Sequence, residues 1–158
     1  MIKEIKQSFK TGLSFGLTSG VITTLGLMIG LDSGTNSKQI VISGILIIAI
    51  ADALSDALGI HISQESNSNK QQSIWESTLA TFLSKFLISL TFIIPILLFD
   101  LQLAIYLNLT WGLILLTILS FYIAKNQNEK PINVILEHLT ITILVVITTY
   151  YIGLWLGN

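Results

Sequence analysis

The sequence predicts an all-α integral membrane protein with five transmembrane helices. Three observations carry that expectation. Only 11% of the 158 residues are charged while 52% are hydrophobic, against about 25% charge in an ordinary soluble domain. The mean hydropathy is +0.77, too high for a surface that faces water. Five segments approach the roughly 20 apolar residues that a bilayer crossing needs.

The N-terminal ten residues, M-I-K-E-I-K-Q-S-F-K, interleave charge with apolar side chains. That order does not fit a signal peptide. It fits a short amphipathic helix at residues 1–10, lying on the membrane surface. Span one follows at about 11–31 and carries no charge. Span two, about 39–62, is interrupted only by Asp52, Asp56 and His61. A polar stretch from Ser63 to Glu76, rich in Ser, Asn and Gln, reads as an exposed loop. Span three, about 77–99, contains one charge, Lys85, and a proline, Pro95, expected to kink or weaken the helix. Span four, about 101–124, is uncharged, and span five covers about 134–156. The chain reads as a single transmembrane domain, with no room for a separate soluble one.

With five spans, Lys3, Lys6, Lys10, Lys70, Lys125 and Lys130 fall on one side and only Lys38 on the other. The excess of positive charge marks the cytoplasmic side. The N-terminus is therefore expected in the cytoplasm and the C-terminus outside, in the cell membrane of a prokaryote. There are no cysteines, hence no disulfide framework or thiolate metal site. A net charge of −1 offers no basic patch for nucleic acid. No nucleophile triad, phosphate loop or zinc-protease helix occurs, so the chain does not read as an enzyme.

The chemistry concentrates in span two, at A-D-A-L-S-D-A-L-G-I-H-I-S (51–63). Asp52 and Asp56 are four residues apart and share one helix face. Gly59 and Ser63 continue that face and Ser55 borders it. A carboxylate within a membrane span is costly and by default marks an ion or proton pathway. Two carboxylates one turn apart can chelate a divalent cation through oxygen, or they can carry protons. Counting residues along a two-helix hairpin places Asp52 about 15 Å, Asp56 about 9 Å and Lys85 about 12 Å from its turn. Lys85 is therefore expected to pair with one of the aspartates. A purely structural ion pair leaves the second carboxylate unexplained.

Span one carries a stripe of small residues: Gly12, Gly16, Gly20, Gly26 and Gly30, with Ser19 and Thr23 in the same arc. Such stripes let helices approach closely in lipid. The partner is either a helix of the same subunit or a second copy across a two-fold axis. His61 is expected at the membrane interface, away from the acids. Glu65, Glu76, Glu137 and His138 read as charges at the ends of spans, and Met28 as an apolar filler or a soft ligand.

The segments F-G-L-T-S-G-V-I-T-T-L-G-L-M-I-G-L (15–31), 51–63, T-L-A-T-F-L-S-K-F-L-I-S-L-T-F-I-I-P (78–95) and Y-I-G-L-W-L-G (151–157) together resemble the vacuolar iron transporter family. The resemblance implies a homodimer that moves Fe²⁺ or Mn²⁺ in exchange for protons. The path would run near the dimer axis, lined by spans one and two. Ions and protons would be substrates, with no cofactor bound permanently. Gly20, Ser55, Gly59 and Ser63 match the family pattern. Its usual acids do not: Ser19 stands for an aspartate, Ile60 for a glutamate, and Asp56 for a methionine. The glutamate-rich cytoplasmic domain found in some members is absent. Asp52 and Asp56 would then be the metal ligands or proton carriers, Lys85 their internal counter-ion, and Ser19, Thr23, Ser55 and Ser63 the polar lining. Two other readings stay open: a proton- or monovalent-cation-coupled carrier of another solute, and a membrane subunit in which the charges only hold helices together.

Overall fold

The computed structural model describes residues 2–67 and 70–157, with side chains described from residue 7 onward. Six helices follow one another: α1 (Ile2–Thr35), α2 (Lys38–Ser66), α3 (Gln71–Thr91), α4 (Ile93–Leu98), α5 (Leu101–Gln127) and α6 (Pro131–Gly157). α3 and α4 together form one crossing, so five helical segments are long and apolar enough to span a membrane.

The turns between them follow from local chemistry. Thr35 and Asn36 end α1, with Asn36 in the left-handed region at φ 45°, which asparagine tolerates better than most residues. Ser37 then caps α2, accepting from the Ile40 amide. Asp100 caps α5 through the Leu103 amide. Asn128 takes φ 58° after α5, and Pro131 opens α6 where its missing N–H costs nothing. Pro95 breaks the third crossing as expected. It cannot donate to the Thr91 carbonyl, and helical bonding lapses at Phe92, whose amide turns instead to Ser89. The buried Asn108 amide donates to the Phe92 carbonyl at 2.8 Å and so braces the break.

Two boundaries differ from the sequence expectation. The N-terminal segment is not a separate element, because α1 continues unbroken through 34 residues. At about 1.5 Å per residue that is about 51 Å, well beyond a hydrocarbon core. The expected 63–76 loop is also mostly helix, since α2 runs to Ser66 and α3 begins at Gln71. Ser8 and Ser73 share a buried hydroxyl contact, and Ile74 is buried. The start of α3 is thus packed against α1 even though its composition is polar.

α1 is the central helix, flanked by α3, α6, α2 and α5. Its neighbours along the chain show the directions. Gly12, Gly16 and Gly20 face Ser77, Thr81 and Lys85 in rising order, so α3 runs parallel to α1. Gly26, Gly30 and Gly34 face Val145, Thr149 and Gly153, so α6 is parallel too. Leu25 meets Gly112 and Met28 meets Asn108, which sets α5 antiparallel. α2 opposes both α1 and α3, through Ser19–Asp56 and His61–Thr78.

The glycine stripe is therefore consumed inside the subunit. Its lower half seats α3 and its upper half seats α6; a methyl group at Gly12, Gly16, Gly20 or Gly26 would overlap the facing helix, and at Gly30 it would crowd Thr149. This decides between the two packing partners in favour of the same chain. Gly59 differs from the rest of the predicted packing set. A Cβ there meets nothing within 4 Å.

The two halves of the bundle have opposite character. Toward the α1–α2 turn lies an apolar core that includes Val21, Leu25, Met28, Val41, Ile45, Phe92, Ile96 and Leu116. Toward the N-terminal end the interior is a polar seam of Ser77, Thr81, Ser84 and Lys85 against α1. Outward faces are apolar, with aromatic rings near the ends: Trp75 and Tyr122 at one, Tyr106, Tyr150, Tyr151 and Trp155 at the other. Tyr106 and Tyr122 lie about 24 Å apart along α5, a spacing that matches interfacial belts on a bilayer.

Gly12→Val should destabilise the protein by about 1–3 kcal/mol through overpacking. Gly59→Ala should be neutral, or stabilising by up to about 1 kcal/mol through helix propensity alone. Thermal unfolding of the purified protein in detergent checks both.

Candidate functional site

The site forms where α1, α2 and α3 meet in the polar half of the bundle. Ala49, Ala53 and Ala57 make the buried ridge of α2, and their small side chains let it lie close to its neighbours. Gly20 on α1 leaves the room that the Lys85 stem occupies; a Cβ at Gly20 would come within 3.3 Å of the Lys85 Cγ. The stem is thereby held straight along the helix interface. Lys85 is 1% exposed and cannot reach the lipid headgroups.

Its ammonium carries three N–H donors, and three acceptors surround it. Nζ lies 2.6 Å from Asp52 Oδ2 and 2.5 Å from Asp56 Oδ2. It also donates to Ser19 Oγ at 2.8 Å. Ser19 in turn donates to Asp56 Oδ2 at 2.6 Å, closing a ring of lysine, serine and aspartate. The sequence expected Lys85 to meet one aspartate, and it meets both. Thr23 does not join them; its hydroxyl returns to the Ser19 carbonyl of its own helix at 3.0 Å.

The two aspartates are not equivalent. Asp56 Oδ2 accepts two hydrogen bonds. Asp52 Oδ2 is buried yet has no hydrogen bond of good geometry, so its link to Lys85 is one of charge. Asp52 is also the more open of the two, with its side chain 31% exposed against 21% for Asp56. With all three groups ionised the cluster carries a charge of −1. That is one carboxylate more than the lysine balances.

Ser55, Gly59 and Ser63, named by the sequence as path lining and packing positions, lie exposed on the outward face of α2. They flank the open edge of the aspartates and make no contact with α1. His61 stands apart from the acids, as expected. Its Nδ1 lies 3.0 Å from Thr78 Oγ1 and its ring packs edge-on to Trp75 at 4.8 Å, clamping α2 to α3. Glu65 and Glu137 are exposed, and Glu76 accepts from Gln72 at 3.3 Å. Met28 sits in the apolar half beside Asn108, away from the aspartates. Among the described residues no group of three or more His, Cys, Asp or Glu side chains gathers to hold a metal. Any ion bound here would have two carboxylates, nearby hydroxyls and water as ligands.

Sequence reading passed over Asn108, Thr24 and Ser8. Thr24 donates to Ser89 at 3.0 Å across the α1–α3 interface. The signal was present in α3, where Ser73, Ser77, Thr81, Lys85 and Ser89 recur every fourth residue. That spacing marks a polar ridge turned toward a neighbour. Comparison with known protein families, characterised proteins and solved structures finds no match to this chain.

Lys85→Met should cost about 3–5 kcal/mol, since it leaves two partly buried carboxylates without a counter-charge. Combining it with Asp52→Asn and Asp56→Asn should recover most of that loss. Asp52→Asn alone should cost less than Asp56→Asn. Unfolding midpoints of the four variants check the order.

Proposed function

We propose that this protein is a membrane transporter of divalent metal cations, with protons moving in exchange. The observation that carries the reading is the pair of aspartates held by one buried lysine and open along one edge. Structural glue alone needs one carboxylate per lysine, and the second acid adds a charge that a transported ion can answer. Fe²⁺ and Mn²⁺ are the cations of choice on the strength of the motif resemblance in spans one to three. The lysine distribution supports a cytoplasmic N-terminus. A homodimer brings two outward faces of α2 together, with Asp52, Ser55, Gly59 and Ser63 beside the shared path.

Charge balance sets the cycle. With all three groups ionised the site holds one more negative charge than positive. A divalent cation entering at the Asp52 edge takes both carboxylates as ligands and displaces the Lys85 ammonium from them, and protons moving the other way offset the charge it brings. Asp52 gives way first because only charge holds it, while Asp56 keeps its bond from Ser19.

The saturation of Lys85 on both acids favours a second reading, in which the cluster couples proton movement to a different solute. Proteoliposomes separate the two. Mn²⁺ or Fe²⁺ flux should be accompanied by proton movement in the opposite direction. Asp52→Asn and Asp56→Asn should each lower metal flux at least about tenfold, the effect of roughly 1.4 kcal/mol at a binding site. Proton movement that depends on both aspartates without metal flux favours the second reading. Metal flux unchanged in both variants would sink the assignment of the site.

A further inference from the structure

A second polar site lies on the opposite side of α1, between α1, α5 and α6 at the N-terminal end of the bundle. It is a pocket of about 360 Å³. Among the described residues, Lys10, Ser14, Thr18, Asn126, Gln127 and His138 line it, and no carboxylate does. Phe15 and Ile123 form an apolar side wall.

Two observations point to a missing ligand. Thr18 Oγ1 is buried and has no hydrogen-bond partner. A buried hydroxyl left unpaired is costly, and Thr11, Thr23 and Thr24 on the same helix avoid that cost by bonding to a backbone carbonyl or a side chain. The second observation is the tautomer of His138. Ser120 donates its single hydroxyl proton to the Leu116 carbonyl at 2.6 Å. Its 2.8 Å contact with His138 Nδ1 is therefore an N–H donation from the ring. That fixes the imidazole and leaves Nε2 unengaged at a pocket that already holds an ammonium and two side-chain amides. A cation and several neutral donors, with no acid among the described lining residues, suit an anion. The apolar wall runs beside them, as it would for the first carbons of an acyl chain.

We propose that this pocket binds an anionic phosphate headgroup at the membrane surface. Lys10 supplies charge, Thr18 and Ser14 donate to the phosphate oxygens, and His138 Nε2 accepts from a headgroup hydroxyl. Phe15 and Ile123 hold the glycerol end. The site shares no residue with the Asp52–Asp56–Lys85 cluster, so it stands or falls apart from the transport reading.

Thermal unfolding of the full chain in neutral detergent tests it, with phosphatidylglycerol, phosphatidylcholine or inorganic phosphate added. Phosphatidylglycerol should raise the midpoint of the wild type by about 4 °C or more at saturation, and phosphatidylcholine should not. Lys10→Gln and Thr18→Val should each lose most of that rise, while Lys130→Gln, outside the pocket, should keep it. Without lipid, Thr18→Val should melt no lower than the wild type, because it removes an unpaired hydroxyl; this separates lost binding from lost folding. An equal rise with inorganic phosphate alone would assign the site to the free anion and overturn the lipid as its source. A rise retained in full by both pocket variants, or no rise at all, would overturn the site.

Discussion

A buried ammonium ringed by two carboxylates and a hydroxyl is the interaction on which the polar half of this bundle depends. Lys85 draws on three helices at once: Ser19 from α1, Asp52 and Asp56 from α2, and its own α3. The ammonium is 1% exposed and has no water to fall back on, so its partners fix its position. The cost is shared unevenly. Asp56 is tied by two hydrogen bonds, and Asp52 by charge alone. The cluster is therefore both a clamp and a weak point, and the weak point faces outward.

The glycine stripe of α1 serves that cluster. Without apolar burial to drive helices together in lipid, contact relies on close approach. Gly12, Gly16 and Gly20 bring α3 against α1 near enough for the Lys85 ammonium to reach Ser19. Gly26 and Gly30 do the same for α6 farther along. One face of one helix thus receives two parallel neighbours in succession, because a ridge of every fourth residue drifts slowly around the axis.

Much of this was legible in the sequence. The five crossings, the pairing of Lys85, the break near Pro95 and the separateness of His61 all follow from residue spacing and side-chain chemistry. What was not legible has a common cause. A helical wheel says which residues share a face but not which helix lies against it. So the glycines could not be assigned to α3 and α6, and Ser55 and Ser63 could not be told apart from interior lining. The helical start of α3 was hidden because Gln, Ser and Asn are indifferent to helix in isolation, and packing of Ile74 and Ser73 decides the matter. Asn108 was hidden because a lone amide in an apolar run gives no sign of its partner, the Phe92 carbonyl.

The short connection between α2 and α3 bears on how the chain enters the membrane during synthesis. Asp52 and Asp56 would each add about 2.5–3.5 kcal/mol to the insertion of α2 alone, and Lys85 a similar amount to α3. Joined by only a few residues, between Ser66 and Gln71, the two helices can meet before either faces hydrocarbon. Their opposite charges would then cancel in part at the insertion step. By this accounting the hairpin costs less to place in a bilayer than its two helices taken singly.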